Sequence, residues 1–290
     1  MNHTIRQLNR VGVLGCGLMG SGIAEVCLRA GLDVVVAEAT PQTAERGGMR
    51  ITASLARAVE RGKLTAEQRT AALGRLRLTS NLEDLADRQL VIEAVAEVPE
   101  IKREAFRTLD RILNDPDAVI ASNTSSIPII ELASVTDRPH RVIGIHFFNP
   151  VPVQPLIELI PTQLTATEVV DLTAAFAESL LGKTVIQAPD RAGFVVNALL
   201  VPYLLSAVRM LESGHASAED IDTGMELGCA HPMGPLRLID MVGLDTIRSI
   251  AESLFEEYKE PLYATPPLLQ RMVSAGLLGR KSGQGFYRYQ

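Results

Sequence analysis

Short apolar runs alternate with amphipathic stretches along the first part of the chain. The amphipathic stretches, such as Met19–Ala30 and Ile101–Leu113, have the period of helices that bury one face. The apolar runs have the length and the residue types of buried strands. They are Val11–Leu14, Val34–Ala37, Leu90–Glu93, Val119–Ser122, Val142–His146, Leu156–Ile160 and Thr184–Gln187. This alternation predicts an α/β fold with a doubly wound, mostly parallel sheet.

Two of the predicted strands have no room for a crossover helix between them. A short Asn-Pro-Val-Pro segment leads from Val142–His146 towards Leu156–Ile160. A parallel pair needs a connection of a dozen or more residues. These two strands are therefore expected to pair antiparallel.

The pattern changes near Ala188–Pro189. After Gln187 no further strand is predicted, and residues 190–285 have the pattern of successive helices interrupted by glycine and proline. We expect residues 1–188 to form the first domain and residues 189–290 to form an all-helical C-terminal domain.

A long, charge-rich helical excursion is predicted over residues 40–78, after the second strand. Its cations are Arg46, Arg50, Arg57, Arg61 and Lys63. The segment is either a solvated helical pair or a surface that offers positive charge to an anionic ligand.

Composition narrows the class of protein. Of the 290 residues, 47% are hydrophobic and 21% charged, as in globular proteins, and the net charge of −6 argues against nucleic acid as the main partner. The three cysteines have neither disulfide-framework nor zinc-site spacing, so no metal is expected and a cytoplasmic location fits best. The N-terminal stretch has no apolar signal core. The apolar run at residues 192–208 contains Asn197 and Pro202 and is shorter than the roughly 20 residues that span a bilayer, so no membrane partner is expected.

A glycine-rich turn follows the first predicted strand and opens the first predicted helix. Gly15, Gly17 and Gly20 form a G-x-G-x-x-G pattern. In this context the glycines permit a tight turn, close approach of a pyrophosphate and close helix–strand packing. The phosphates are expected at the positive end of the helix, beside Leu18 and Met19. The pattern predicts a Rossmann-type dinucleotide site.

An acidic residue follows the second predicted strand. Glu38 is placed to hydrogen-bond the adenosine ribose, and its charge would repel a 2′-phosphate. This predicts NAD rather than NADP as the cofactor. The alternative is a glycine-rich turn with an unrelated surface glutamate.

Polar side chains mark the ends of later strands. The segment ASNTSSIP places Asn123 and Ser125 just after one strand, GIHFFNP places His146 at the end of another, and PLIELI places Glu158 on the return strand. The carboxyl ends of strands in a doubly wound sheet border the ligand crevice. A neutral imidazole can take a proton while a carboxylate orients it, as a dehydrogenase requires. Each residue taken singly also has a structural interpretation: a packed histidine, a helix cap or a solvated glutamate.

Seven segments of the chain resemble the L-3-hydroxyacyl-CoA dehydrogenase family, in particular its short 3-hydroxybutyryl-CoA dehydrogenase branch. They are GCGLMGSGIAEV, VIEAVAE, ASNTSSIPI, HFFNPVPVQPLIEL, DRAGFVVNALLVPYL, HPMGPLRLIDMVGLDT and GRKSGQGFY. The resemblance extends over nearly the whole chain, and its HFFNP segment with the downstream glutamate is highly specific.

The resemblance implies a role for each matching residue. It implies His146 as the general base, Glu158 as its orienting partner, Ser125 as a hydrogen-bond donor to the substrate 3-oxygen, and Asn197 as a further substrate-site residue. For the cofactor it implies Glu97 and Lys102 near the nicotinamide ribose, to which we add Asn123. Ser54 and Lys63 lie near the positions at which relatives contact CoA. The resemblance also implies a homodimer formed through the helical domain.

The expected activity is NAD-dependent, reversible oxidation of a short-chain (S)-3-hydroxyacyl-CoA to the 3-oxoacyl-CoA. Three alternatives stay open. The hydroxyacyl group could be carried by an acyl carrier protein, or the substrate could be a free hydroxy acid. The third alternative is a non-catalytic nucleotide-binding protein on the same fold.

Overall fold

The first unit of the chain, which ends at Asp190, is built around one eight-stranded sheet. The structure is a computed structural model that describes residues 8–289, so part of the N-terminal stretch discussed above lies outside the described residues. The strands are β1 (Arg10–Leu14), β2 (Asp33–Ala37), β3 (Leu76–Thr79), β4 (Leu90–Glu93), β5 (Val119–Ser122), β6 (Val142–Phe147), β7 (Leu156–Pro161) and β8 (Thr184–Gln187). Every strand predicted from the sequence is present, with ends that differ by at most one residue.

The strand order is β3-β2-β1-β4-β5-β6-β7-β8. Strands β1 to β6 run parallel, β7 pairs antiparallel with β6 as predicted, and β8 runs parallel to β7. The order reverses between β1 and β4, which is the switch point at which a doubly wound sheet binds its ligand.

Within the described part of the first unit, six helices flank this sheet. They are α1 (Leu18–Arg29), α2 (Pro41–Glu60), α3 (Ala66–Leu73), α4 (Pro99–Ile112), α5 (Ile129–Ala133) and α6 (Thr167–Ala175), which continues into a π-helical turn at Phe176–Leu180. Short 3₁₀ turns occur at Leu82–Leu85 and Pro139–Arg141. The central strands β1, β4 and β5 are buried along nearly their whole length, and their side chains join those of α1 in the core.

The prediction of a helical excursion over residues 40–78 is wrong at its C-terminal end. Helix α3 ends at Leu73, and residues 76–79 form β3, which pairs parallel with β2 at the edge of the sheet. The sequence LRLT alternates apolar and polar residues as an edge strand does. The strand is only half-buried and short, so its period of two was hidden by the charged helices before it.

The second unit begins at Arg191 and is helical. Its helices are α7 (Val196–Glu212), α8 (Ala218–Cys229), α9 (Pro235–Val242), α10 (Leu244–Tyr258) and α11 (Pro267–Ser274), with 3₁₀ turns at Pro261–Tyr263 and Arg280–Ser282. Leu204, Leu236, Leu244 and Leu254 belong to its own apolar core. Among the described residues, no helix is long and apolar enough to cross a membrane.

Two buried aspartates organise the second unit. Asp222 accepts hydrogen bonds from the backbone N–H groups of Leu236 and Arg237 at the start of α9. Asp240 is 1% exposed and accepts from the backbone N–H groups of Phe286 and Tyr287, both at 2.9 Å. The Tyr289 hydroxyl donates to the same carboxylate at 2.9 Å. The Asp240 carboxylate therefore holds the C-terminal tail against α9, and the Tyr287 hydroxyl also donates to Asp222 at 2.8 Å.

Candidate active site

The glycine loop between β1 and α1 has the backbone that its sequence predicts. Gly15 has φ = +92°, which favours glycine, and a Cβ there would lie 2.7 Å from the Ala94 carbonyl oxygen. A Cβ at Gly20 would collide with the Gly15 carbonyl oxygen. At Gly17 a Cβ would meet nothing within 4 Å, so the space above this residue is open. Gly15 thus permits the tight turn, Gly20 permits close packing, and Gly17 leaves the approach to the backbone open.

Glu38 follows β2 and turns its carboxylate towards the glycine loop. Oε1 accepts a hydrogen bond from the Cys16 backbone N–H at 2.5 Å, and Oε2 accepts one from Ala39 at 3.3 Å. Burial raises the pKa of the Cys16 thiol to about 12, and the nearby Glu38 charge adds to this effect. Glu38 therefore borders the loop where an adenosine ribose binds in such folds.

These residues fit a dinucleotide. Helix α1 begins at Leu18, and its N-cap residue Gly17 makes no side-chain hydrogen bond to the first turn. The N–H groups of that turn, at the positive end of the helix dipole, therefore face outwards. Leu18 is 67% exposed, and Met19 is half-buried against the core. The open space at Gly17 allows an anion to approach these N–H groups.

His146 and Glu158 form a buried pair on the antiparallel strands. They stand opposite each other in the β6–β7 register. Nδ1 of His146 lies 2.7 Å from Oε2 of Glu158, and the two residues are 4% and 0% exposed. Since an ionised carboxylate only accepts hydrogen bonds, the ring donates from Nδ1. The pairing fixes the orientation of the ring, with Nδ1 turned towards the carboxylate.

Asn123 connects β5 to β6. It is 8% exposed, and its Oδ1 accepts a hydrogen bond from the Phe147 backbone N–H at 2.9 Å. Phe147 directly follows His146. The side-chain oxygen of Asn123 thus holds the end of the histidine strand.

The loop 122–126 is held by Glu97. One carboxylate oxygen of Glu97 accepts hydrogen bonds from the Ser125 backbone N–H at 3.0 Å and from the hydroxyls of Thr124 and Ser126. Lys102 lies behind Glu97 at 3.1 Å and is 1% exposed. Burial alone would raise the pKa of Glu97, but the Lys102 charge and the hydrogen bonds lower it below its usual value. Glu97 is therefore ionised and anchors the loop that carries Ser125.

Sequence reasoning assigned no role to Glu93. This residue ends β4, is 0% exposed, and has its Oε1 2.6 Å from Lys102 Nζ. Its Oε2 accepts a hydrogen bond from the Ser122 hydroxyl at 2.7 Å. The signal was present in VIEAVAE, as a charged residue that ends an otherwise apolar strand at the ligand edge of the sheet.

A cavity of about 540 Å³ lies between α1, α2 and the turn that follows β6. Ser54 and three of the arginines noted in the excursion line it, together with the turn residues 149–152; those arginines are Arg46, Arg50 and Arg57. Lys63 lies in the turn after α2 and is not among the lining residues. The cavity offers several guanidinium groups close to the strand end that carries His146.

Asn197 lies in the first turn of α7, in the second unit, and is half-buried. His231 follows the left-handed cap of α8 at Ala230, and its backbone N–H donates to Met225. His231 therefore lies directly after the end of this helix. No group of three or more metal-ligating side chains is found within residues 8–289.

The family models match almost the whole chain. The model for the 3-hydroxyacyl-CoA dehydrogenase NAD-binding domain matches residues 10–191, and that for the 3-hydroxyacyl-CoA dehydrogenase C-terminal domain matches residues 193–289. The chain belongs to the 3-hydroxyacyl-CoA dehydrogenase family. Its first unit is the NAD-binding domain of that family, and the protein is an oxidoreductase.

Relatives and solved structures agree with this assignment. The chain is 58% identical to a 3-hydroxybutyryl-CoA dehydrogenase of Mycobacterium tuberculosis strain H37Rv, over 97% of this chain and 99% of the relative. The crystal structure of M. tuberculosis FadB2 is similar with a TM-score of 0.97 at 58% identity, over 98% of this chain and 99% of that one. The (S)-3-hydroxybutyryl-CoA dehydrogenase PaaH1 of Ralstonia eutropha has a TM-score of 0.92 at 42% identity, over 98% and 100%.

Proposed function

We propose that the protein catalyses the reversible, NAD-dependent oxidation of a short-chain (S)-3-hydroxyacyl-CoA, with 3-hydroxybutyryl-CoA as the main substrate. The observation that carries the proposal is the buried His146–Glu158 pair at the ligand edge of an NAD-binding sheet. The names of the relatives at high identity support the substrate.

In the proposed mechanism His146 is the general base. Glu158 engages Nδ1, so Nε2 takes the proton from the substrate 3-hydroxyl. The imidazolium that results is stabilised by the ionised Glu158, which is buried and therefore interacts strongly with it. Bound NAD supplies the acceptor for the hydride that leaves C3.

Ser125 is proposed to donate a hydrogen bond to the substrate 3-oxygen. Glu97 accepts from the Ser125 backbone N–H, and this contact holds the half-buried Ser125 in the loop that follows β5. Asn197 is proposed as a further substrate-site residue, as the family resemblance implies. Donors of this kind orient the substrate and stabilise charge that develops on oxygen.

The nucleotide is proposed to lie along the strand ends at the switch point. The backbone at Gly15, Gly17 and Gly20 and the first turn of α1, at Leu18 and Met19, would hold the pyrophosphate. Glu38 would accept from the adenosine ribose. We propose that Glu97, Lys102 and Asn123 support the end of the nucleotide that lies on the side of His146. Lys102 and Asn123 do so from buried positions.

The cavity beside α2 is proposed to take the phosphate-bearing part of CoA. The guanidinium groups of Arg46, Arg50 and Arg57 line it, and guanidinium is a strong ligand of phosphate. Ser54 would contribute a hydroxyl from the same helix. Lys63 lies in the turn that follows α2 and would act as a cation at a greater distance from the phosphates.

The homodimer and the cytoplasmic location are also proposed. Large apolar side chains stay exposed on the second unit, among them Leu199 at 74% and Leu227 at 82%. Exposed apolar surface of this kind is typical of an interface, and light scattering in solution tests the dimer. The free, exposed thiol of Cys229 supports a reducing compartment.

The test of the proposed function is the oxidation of NADH with acetoacetyl-CoA, repeated with NADPH. Fast turnover with NADH and little with NADPH is expected. Parallel assays with an acetoacetyl carrier-protein thioester and with a panel of free hydroxy acids separate the two competing substrates. Tight NAD binding without turnover on any of them would support the non-catalytic alternative and contradict the proposal.

A further inference from the structure

A buried ion cluster occupies the ligand edge of the sheet between the glycine loop and the Ser125 loop. Lys102 Nζ lies 2.6 Å from Glu93 Oε1 and 3.1 Å from Glu97 Oε2. Glu93 and Lys102 are 0% and 1% exposed, whereas the Glu97 side chain is 35% exposed. With both carboxylates ionised, two negative charges surround one positive charge. The cluster therefore carries one net negative charge.

The strand order determines which part of a bound dinucleotide this cluster accompanies. Glu93 is in register with Leu14 at the end of β1 on one side and with Ser122 of β5 on the other. Glu38, after β2, marks the adenosine side, and His146 on β6 marks the side of hydride transfer. Strand β4 lies between β1 and β6 in the sheet. The cluster consequently belongs to the nicotinamide side.

Glu93 touches both neighbouring loops. Its Oε1 also accepts a hydrogen bond from the Val95 backbone N–H at 2.7 Å, in the connection that packs on Gly15. Its Oε2 holds the Ser122 hydroxyl, which in turn accepts from the Thr124 backbone N–H at 3.1 Å. A single carboxylate thus joins the nucleotide side to the substrate side.

The oxidised and reduced nicotinamide rings differ in charge. The oxidised ring is a cation, whereas the reduced ring is neutral. In a site of low dielectric constant, a nearby net negative charge stabilises the cation and has little effect on the neutral ring. A residue that only holds the scaffold would change the affinity for both forms alike.

We infer that Glu93 is a positioning residue that acts through Lys102 and Glu97 and favours the binding of NAD⁺ over NADH. The inference rests on the proposed function for the place of the nicotinamide ring. It assigns to Glu93 a role in the balance between the two directions of the reaction. Glu93 itself touches neither substrate nor nucleotide.

The test is a pair of binding titrations with E93Q and the unmodified protein, in the absence of acyl-CoA. Glutamine has the shape of glutamate and keeps an acceptor for Lys102, but removes one negative charge. The Kd for NAD⁺, measured by calorimetry, is expected to rise about fivefold or more relative to the Kd for NADH, measured by fluorescence. Equal changes in both constants, or none in either, overturn the inference.

Two further variants make the test specific. D110N is the matched control, because Asp110 lies on the same helix as Lys102 and pairs with Arg138 at 2.6 Å, away from the cluster. Its ratio of the two constants is expected to stay within about twofold of that of the unmodified protein. In E93Q/K102M one charge of each sign is lost, so the ratio is expected to return towards the original value.

If circular dichroism shows that E93Q does not fold, E97Q is used in its place. It removes the same charge from a partly exposed position, and an unchanged ratio in E97Q overturns the inference. The titrations need no acyl substrate. Absent turnover with acetoacetyl-CoA would therefore contradict the proposed function while the ratio still decides the role of Glu93.

Discussion

His146 and Glu158 face each other across two antiparallel strands, and the ring nitrogen Nδ1 lies 2.7 Å from the carboxylate. The turn that joins these strands is held by Lys183, whose Nζ donates to the carbonyl oxygens of Val151 and Gln154. The geometry of the pair is therefore set by backbone register and by the turn.

Replacing either member of this pair is expected to lower kcat strongly and the free energy of unfolding only slightly. In H146A the general base is lost, and kcat should fall by about 10³-fold. In E158Q the ring keeps its position but loses the stabilising charge, and kcat should fall by about 10²-fold. Initial rates of NADH oxidation with acetoacetyl-CoA measure both effects. Turnover of H146A near that of the unmodified protein would contradict the proposed mechanism, provided that thermal unfolding shows both variants folded.

Gly17 and Gly20 are expected to respond differently to alanine. In G20A the new methyl group meets the Gly15 carbonyl oxygen, so the free energy of unfolding should fall by about 1–3 kcal/mol. In G17A the methyl group meets no protein atom, so stability should be kept while NADH affinity falls by about tenfold. Urea unfolding and fluorescence titration measure the two quantities. Unchanged stability in G20A would contradict the packing role of Gly20. Unchanged NADH affinity in G17A would contradict the role of Gly17 in nucleotide approach.

Glu38 is expected to set the preference between NADH and NADPH. Removal of its carboxylate in E38A takes away a ribose acceptor and the charge that repels a 2′-phosphate. The ratio of kcat/KM for NADH to that for NADPH should fall by about tenfold or more. E60Q, at the exposed end of α2, serves as the control and should keep the original ratio. If E38A also keeps the original ratio, a residue other than Glu38 sets the preference between NADH and NADPH.

Arg57 and Arg61 form a matched pair for the CoA site. Both are exposed and lie one helical turn apart, but only Arg57 lines the cavity. R57A should raise the KM for acetoacetyl-CoA by about tenfold and leave the KM for NADH unchanged, since a phosphate contact is lost. R61A should leave both constants unchanged. Equal effects of the two variants would place the phosphates of CoA outside the cavity.

The lowered pKa of Glu97 predicts a pH-dependent contribution to stability. Burial opposes ionisation, but Lys102 and the hydrogen bonds from the Ser125 loop lower the pKa below its usual value of 4.5. The ionised form therefore stabilises the folded state above that usual value, and this contribution is lost as the pH falls through the lowered pKa. Urea midpoints for the unmodified protein and E97Q should differ near neutral pH and converge in acid. The exposed E104Q is the control, and a difference independent of pH would refute the argument.

Much of the first unit follows from local pattern. The buried strands are continuous apolar runs, so their ends could be predicted to within one residue. Strand β3 was missed because it is short, half-buried and preceded by charged helices, and its place beside β2 depends on pairing with a distant segment. Local sequence carries no information on such a partner.

The candidate site was predicted unevenly for a similar reason. His146 and Glu158 lie on neighbouring strands whose short connection predicts their pairing. Glu93 received no role because its partners, Lys102 and Ser122, become neighbours only through the order of β4 and β5 in the sheet and the packing of α4. A charged residue at the end of a buried strand is the signal that points to such a cluster.

The attachment of the C-terminal tail to Asp240 has a consequence for how the protein is made. The buried carboxylate finds its partners in Phe286, Tyr287 and Tyr289, which follow it in the sequence by 46 to 49 residues. While the ribosome still covers these residues, Asp240 has none of these donors, and a buried carboxylate without donors is costly. The sheet unit, whose strands end at Gln187, can fold during synthesis. The helical unit can complete this attachment only after residues 286–289 have left the ribosome.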